Sequence, residues 1–376
     1  MNFELSDEQR MIQQNVERFV EDNYDLNTRV ALSSKSPGFS TEYWQSMAEL
    51  GWLGLPFEEK DGGFGGNQID VLVLMEQFGR GLVLEPYLAS IVMGGGALKR
   101  GGSEALKREM LPGVIEGSLQ LAFAYAEMQS RFDLDDVMTS ARKEGENFIL
   151  NGQKSMVQNA ETADQIVVTA RTSGGQVGQQ GITLFLIAAD AEGLSRDNFP
   201  TVDGLRASEI TLENVSVGAE RILGKVDQGF NILQSVANDA MLALGAEAVG
   251  AMEVLYKDTV DYTQQREQFD HPLSEFQVLQ HRMVDMFMEY EQCKSLLYRA
   301  TMETIQDPEA AQRTIHALMH LIGKSGLFIA ENAVQLHGGM GMTEELRIGH
   351  YFKRLLAIDA TFGNADYHLQ KFTTFS

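Results

Sequence analysis

Three groupings of residues in this chain have types and spacings that invite a chemical reading. The first is a glycine cluster, Gly62-Gly63-Phe64-Gly65-Gly66. It does not follow a strand in a βαβ unit, so it satisfies neither a dinucleotide fingerprint nor a P-loop, and it reads as a turn. The second is His316 and His320, i and i+4 on a predicted helix, a spacing a metal ion could bridge. No carboxylate or third histidine stands near them in sequence, so they read as core or surface histidines and no metal is assigned. The third is the tail from Gln335 to Asn364, QLHGGMGMTEELRIGHYFKRLLAIDATFGN, which gathers glycines, a basic stretch and a carboxylate, Asp359. No elbow motif supports a Ser/His/Asp nucleophile.

The elements that must carry these residues follow from periodicity. Ser6-Asp7-Glu8-Gln9 reads as an N-cap with acidic first-turn residues. Met11, Ile12, Val16, Phe19 and Val20 then recur at helical spacing. Helical patterns continue through 42–50, 69–78 and 106–115. From Leu119 the period shortens. Runs at 121–125, 148–150, 165–170, 182–187 and 209–212 are β-rich, with Asn151-Gly152 and Ser173-Gly174-Gly175 as turn chemistry between them. From Phe230 helices resume, with a small-residue stretch at 237–252 that reads as fully buried and amphipathic stretches at 254–266, 276–304, 308–333 and 345–356. The predicted division is 1–118 helical, 119–229 β and 230–376 helical.

Bulk properties bound the function. A chain of 376 residues with 44% hydrophobic content exceeds one compact core. Its net charge of −23 argues against nucleic acid and anionic membrane surfaces, whose phosphates it would repel. One cysteine, Cys293, excludes an internal disulfide framework and points to a reducing, cytoplasmic compartment. The opening MNFELSDEQRMIQQ has no apolar signal core, and no apolar run approaches the roughly 18 residues of a membrane span.

The tail resembles the C-terminal signature of the acyl-CoA dehydrogenase family, Gln-x-x-Gly-Gly-x-Gly, then a basic pair, then Glu-Gly-Thr. Gln335, Gly338, Gly339 and Gly341 stand in place, while no Glu-Gly-Thr follows. The stretch 262–280 is similar to the family's Arg-x-x-Phe-Gly…Phe-Gln: Arg266, Phe269, Phe276 and Gln277 fit, and Asp270 replaces the glycine. Glu49–Pro56 and the glycine cluster look like a further family passage. The resemblance implies an α+β acyl-CoA dehydrogenase fold: an N-terminal helical domain, a β-barrel-like middle and a C-terminal four-helix-bundle-like domain. It implies FAD as cofactor, with the Gln and glycines packing on it. Arg266 and Phe269, with Gln277, would reach the FAD of a neighbouring subunit, where a guanidinium suits pyrophosphate oxygens.

Departures cluster in the β block. Where the family has Thr-Glu-Pro-x-x-Gly-Ser-Asp, this chain carries Ala126 for the flavin-bonding Thr and Phe132 for the Ser, while Glu127 and Asp133 survive. Asn151-Gly152-Gln153-Lys154 matches, and the following Trp-Ile-Thr becomes Met156-Val157-Gln158. Met156 could cover a flavin face and Gln158 bond its edge, or both could be packing.

The family's reaction, α,β-desaturation of an acyl-CoA thioester, needs a carboxylate at the α-carbon. A motif-anchored register puts Asp359 at the base position and Thr361 at the Thr. A gap-free register sets Phe362-Gly363-Asn364 there instead. Some family members place the base on the preceding buried helix, a position filled here by Ala240, with Asp239 about 100° away and Glu247 two turns on. Asp359 is the candidate base. Its structural alternative is to salt-bridge Arg354 or cap the last helix. The pattern is most similar to small subunits of bacterial heteromeric enzymes of the pimeloyl-CoA and steroid side-chain types. It implies an acyl-CoA substrate, electron-transferring flavoprotein as acceptor, and a homo- or hetero-oligomer. The alternative reading is a non-catalytic partner subunit that supplies FAD contacts across the interface.

Overall fold

The computed structural model describes residues 4–375; Met1–Phe3, the start of the stretch read above as lacking a signal core, lie outside them. Ser6 caps α1 (Asp7–Asn23) as its spacing predicts: Ser6 Oγ accepts from Gln9 N at 3.1 Å, and Gln9 Oε1 accepts from Ser6 N at 3.0 Å. Helices α2 (Leu26–Ser33), α3 (Thr41–Glu49) and α4 (Gln68–Gly81) follow, then a π-helical stretch Tyr87–Gly95, α5 (Gly96–Gly101) and α6 (Glu104–Ile115).

The middle of the chain is an eight-stranded sheet. Its strands are β1 (Leu121–Ala124), β2 (Ser140–Glu144), β3 (Asn147–Gln158), β4 (Gln165–Arg171), β5 (Ile182–Ala188), β6 (Leu194–Pro200), β7 (Arg206–Gly218) and β8 (Ile222–Leu223). The order is β6-β7-β3-β2-β4-β5-β8, with β1 parallel to β4. Phe148, Leu150, Ile166, Val168, Phe185, Ile187, Ile210 and Val215 form part of one buried cluster.

Helices return with α7 (Phe230–Gln265). A two-residue hairpin, β9 (Glu267–Gln268) and β10 (His271–Pro272), precedes α8 (Gln277–Gln306), α9 (Ala311–His337), α10 (Ile348–Asp359) and α11 (Ala365–Thr374). The α+β order of helix, sheet and helix is therefore as predicted.

Two local expectations fail. Asn151-Gly152 is no turn; it lies inside β3, where the register to β7 shifts between Leu150 and Gly152. Gly152 has φ +154° and Thr139 fills the space a Cβ would need, so the glycine serves a close strand approach at a bulge. The expected break between 252 and 254 is also absent. Residues 241–253 are buried on every side and hold no proline, so α7 runs through Gly245 and Gly250.

The chain divides into two compact units. One comprises the segment through Ala31, Gln68–Val83 and everything from Met241; the other comprises Leu32–Asn67 and Leu84–Ala240. In the first, α4 and α7 cross with almost no separation. A Cβ on Gly79 would overlap the carbonyl oxygen of Glu247, and one on Gly250 would overlap that of Glu76. Around the crossing, Glu253 pairs with Arg80, and Lys294 of α8 reaches Glu76 at 3.2 Å. Cys293 is fully buried beside them in sequence, and burial pushes its thiol up to about 12. In the second unit, Ser90 Oγ accepts from Leu121 N at 3.0 Å and Trp44 Nε1 donates to Gly117 O at 2.9 Å, tying the helices to β1 and α6.

Candidate functional site

The sequence-predicted residues fall into two clusters, one in each unit. The first is built on the end of α7. Its last turn delivers Arg266 to the hairpin, whose two-residue turn is Phe269-Asp270, with φ +56° and +62°. Consecutive positive φ values define the turn type that favours Asn-Gly or Asp-Gly, and a phenylalanine there is held at a cost. Its ring is 86% exposed and meets Phe276 edge-on, 6.3 Å between centroids. Arg266 is exposed, and its guanidinium bonds to no described residue. Gln277 opens α8 and is exposed.

The glycine signature is tied to that hairpin. Tyr262 stacks on His337 with 4.3 Å between ring centroids, and its hydroxyl donates to His337 O at 3.4 Å. This contact brings the end of α7 beside the end of α9, where Gln335 is exposed and Gly338 breaks the helix with φ +61° and ψ −140°. No atom lies within 4 Å of where a Cβ on Gly338 or Gly339 would stand. Gly341 differs: it presses on the Val334 carbonyl and His337 Cβ.

The second cluster lies where β1 runs out beside β3. Ser155 N donates to Ala126 O at 2.9 Å. There β3 bulges, its register to β7 shifting between Lys154 and Val157, and Met156 takes φ +54°. Glu209 accepts from Ser155 Oγ at 2.8 Å and from Met156 N at 3.2 Å, pinning the bulge. Met156 is 54% exposed, and Gln158, paired in register with Ala207, is half-buried.

Beneath this cluster lies an ion pair that joins two surviving motifs. Lys154 Nζ donates to Glu127 Oε1 at 2.7 Å and to Thr169 Oγ1 at 2.8 Å. Glu127 also accepts from Met138 N, Thr139 N and Gln129 Nε2. Burial alone would raise the Glu127 carboxyl, but the Lys154 ammonium and these donors hold it at about 2. Burial draws Lys154 down to about 8 against the attraction of Glu127. The two are ionised together at neutral pH and are not free for acid–base work.

Asp359 ends α10. Its Oδ1 accepts from Ala365 N at 2.9 Å, at the start of α11, and lies so close to Gly323 that a Cβ there would collide with it. Burial raises its pKa. Arg354 does not pair with it; Arg354 turns to Glu247, so the structural alternative holds for the cap and not for the salt bridge. Asp239 is paired with Arg100 at 2.5 Å, and Ala240 is fully buried. Phe362, at φ +61°, is buried in the turn between α10 and α11.

The remaining sequence candidates find structural partners. In the glycine cluster, the amides of Phe64, Gly65 and Gly66 donate to Gly54 O, Phe57 O and Leu55 O, which leaves no cradle for a phosphate. His316 bonds His368 and His320 bonds Ala365 O. Among the described residues no cluster of histidine, cysteine or acidic side chains could hold a metal ion, and no helix is long and apolar enough to cross a membrane. The Glu127–Lys154 partnership and the Glu247–Arg354 fork were not foreseen; the survival of Glu127 and Lys154 amid eroded motifs was the available signal for the first.

Comparison with known proteins converges on one family. Models described as acyl-CoA dehydrogenase N-terminal, middle and C-terminal domains match residues 6–118, 122–215 and 227–373. A 3-(aryl)acrylate reductase of Clostridium sporogenes is 30% identical over 333 residues, 86% of this chain and 87% of that protein. A variant of the Tcur3481–Tcur3483 steroid ACAD superposes with a TM-score of 0.88 at 27% identity, covering 98% of this chain and 97% of the other. The FAD complex of PigA superposes with a TM-score of 0.91 at 27% identity, covering 100% and 98%. With all three domain models matching in order and a 30% identical relative covered over most of its length, the chain belongs to the acyl-CoA dehydrogenase family, a family of FAD-binding oxidoreductases.

Proposed function

We propose that this chain is a subunit of an FAD-dependent acyl-CoA dehydrogenase that introduces a double bond between the α and β carbons of an acyl-CoA thioester. The observation that carries the reading is the Arg266–Phe269 hairpin: an exposed guanidinium with no partner among the described residues, beside an aromatic ring held outward on a costly turn. These residues fit a dinucleotide cofactor. A guanidinium matches pyrophosphate oxygens in a fork, and an exposed ring offers a stacking face. The open space above Gly338 and Gly339 admits close approach by another molecule, with Gln335 and Gln277 as amide partners. In this reading those residues reach the FAD of a neighbouring subunit, while Ala126, Met156 and Gln158 face the chain's own.

FAD, when bound, supplies the acceptor for the β-hydride. The chain's part is to hold, orient and accept a proton. Met156 covers and Gln158 donates an amide hydrogen bond; Ala126 contributes no hydroxyl, so the backbone must replace that donor. Asp359 takes the α-proton in this reading, its carboxyl made more basic by burial. Electrons then leave to an electron-transferring flavoprotein.

A second reading has its own support. Each acidic side chain near the family's base positions is already engaged: Asp359 at Ala365 N, Glu247 on Arg354, Asp239 on Arg100. A chain built so serves as the partner in a heteromer, shaping the FAD site of a related, base-bearing subunit. The chain expressed alone separates the two. Yellow protein that desaturates acyl-CoA supports the first; flavin-free, inactive protein that gains flavin and activity with a related subunit supports the second. Protein that takes up no flavin in either setting refutes both.

A further inference from the structure

The seam between α9 and α11 centres on two imidazoles. His316 Nδ1 and His368 Nδ1 lie 2.8 Å apart, with ring centroids separated by 5.1 Å, and both residues are buried. A bond between two such nitrogens forms only when one carries hydrogen and the other offers a lone pair; two imidazolium rings would present hydrogen to hydrogen and repel. No carboxylate bonds either ring among the described residues, and the Gly363 backbone is the one group that favours charge on His368, outweighed by burial and by His316. His368 Nε2 has no hydrogen-bond partner and sits beside Gly363, where a Cβ would stand 2.8 Å from it.

The surrounding groups offer little relief. From α9, His320 is committed to Ala365 O and Arg313 lies over the Phe372 ring. From α11, Lys371 opposes charge on His316, Tyr367 meets His368 edge-on, and Asp366 acts on Asp359. From α10, Asp359 is spent on Ala365 N. The Phe375 ring closes the pair at 5.6 Å from His316.

We propose that the His316–His368 contact is an acid-sensitive latch that docks α11, and with it the turn Ala360–Asn364, onto α9. Burial supports this by holding His316 at about 4 and His368 at about 3, with their mutual repulsion adding to the second. The docked state therefore binds fewer protons than the undocked one. Docking is at full strength above the ordinary histidine value and weakens as pH falls through it toward the folded values.

Hydrogen exchange on the full chain, corrected for intrinsic rates, tests this at about pH 7.5 and about pH 5. Two rings regaining ordinary pKa values when undocked raise the open population of α11 by about 10²–10³-fold across that interval, with α7 amides unchanged. A His316→Gln/His368→Gln double variant keeps donors and acceptors but cannot titrate, and its α11 exchange should be nearly independent of pH. Wild-type α11 protection that changes less than about threefold overturns the latch. So does an equal loss in the double variant, or a loss spread uniformly over the chain. Should the variant not fold, the wild-type comparison decides alone.

Discussion

Arg354 closes a two-pronged ion pair on Glu247, Nε to Oε1 at 2.6 Å and Nη2 to Oε2 at 2.7 Å, with both side chains buried. The fork links α10 to α7 two helical turns past Ala240. It settles what an Ala-rich helix does with one carboxylate: Glu247 anchors, and Arg354 is withdrawn from Asp359.

Removing one half of that fork should be costly. Glu247→Gln leaves a buried guanidinium with a weaker acceptor, and breaking a buried pair costs about 3–5 kcal/mol. Denaturant unfolding should show the loss, and Glu247→Gln with Arg354→Met should recover part of it. A single variant as stable as wild type would remove the fork from the account.

The Glu127–Lys154 pair carries a pH signature. With its folded carboxyl at about 2 and an ordinary value near 4.5, Glu127 contributes stability that is present above about pH 4.5 and lost as pH falls toward 2. Unfolding free energy measured against pH should fall over that window in the wild type. In Glu127→Gln the fall should be shallower and neutral-pH stability lower by about 3–5 kcal/mol, because Lys154 stays buried without its counter-charge.

The hairpin predicts opposite effects from two neighbours. Arg266→Ala removes the phosphate-type donor and should lower FAD retention while leaving the far-ultraviolet circular dichroism unchanged. Asp270→Gly relieves a left-handed residue by about 1 kcal/mol and should retain FAD at least as well as wild type. Equal flavin content in Arg266→Ala and wild type after gel filtration would count against the hairpin as a cofactor contact.

Asp359→Asn discriminates chemistry from structure. The amide oxygen can still accept from Ala365 N, so α11 should stay docked and the melting temperature should move little. If Asp359 is the base, acyl-CoA desaturation falls by about 10²–10⁴ with flavin still bound. An unchanged rate assigns the residue to the cap alone.

Much of this was legible because it depended on local pattern. Ser6 and Gln9 form the capping box their spacing implies, and the change of period at Leu119 marks where the sheet starts. The hairpin at 266–272 was not legible, because Phe269-Asp270 is not the Asn-Gly or Asp-Gly pair that its turn favours. What escaped notice depended on partners distant in sequence. Arg354 chooses Glu247, 107 residues away, over the nearby Asp359. Gly152 looked like a turn because nothing local reveals that Thr139 lies against it. The π-helical stretch at 87–95 has no periodic signature, since every residue in it is buried.

The chain's one thiol, on Cys293, sits out of solvent's reach with its ionisation driven to about 12. A maleimide or spin-label reagent therefore meets no reactive sulfur on the folded surface. A cysteine introduced at Phe269 would be the only position to react, and a probe placed there would report when a neighbouring subunit covers the hairpin tip.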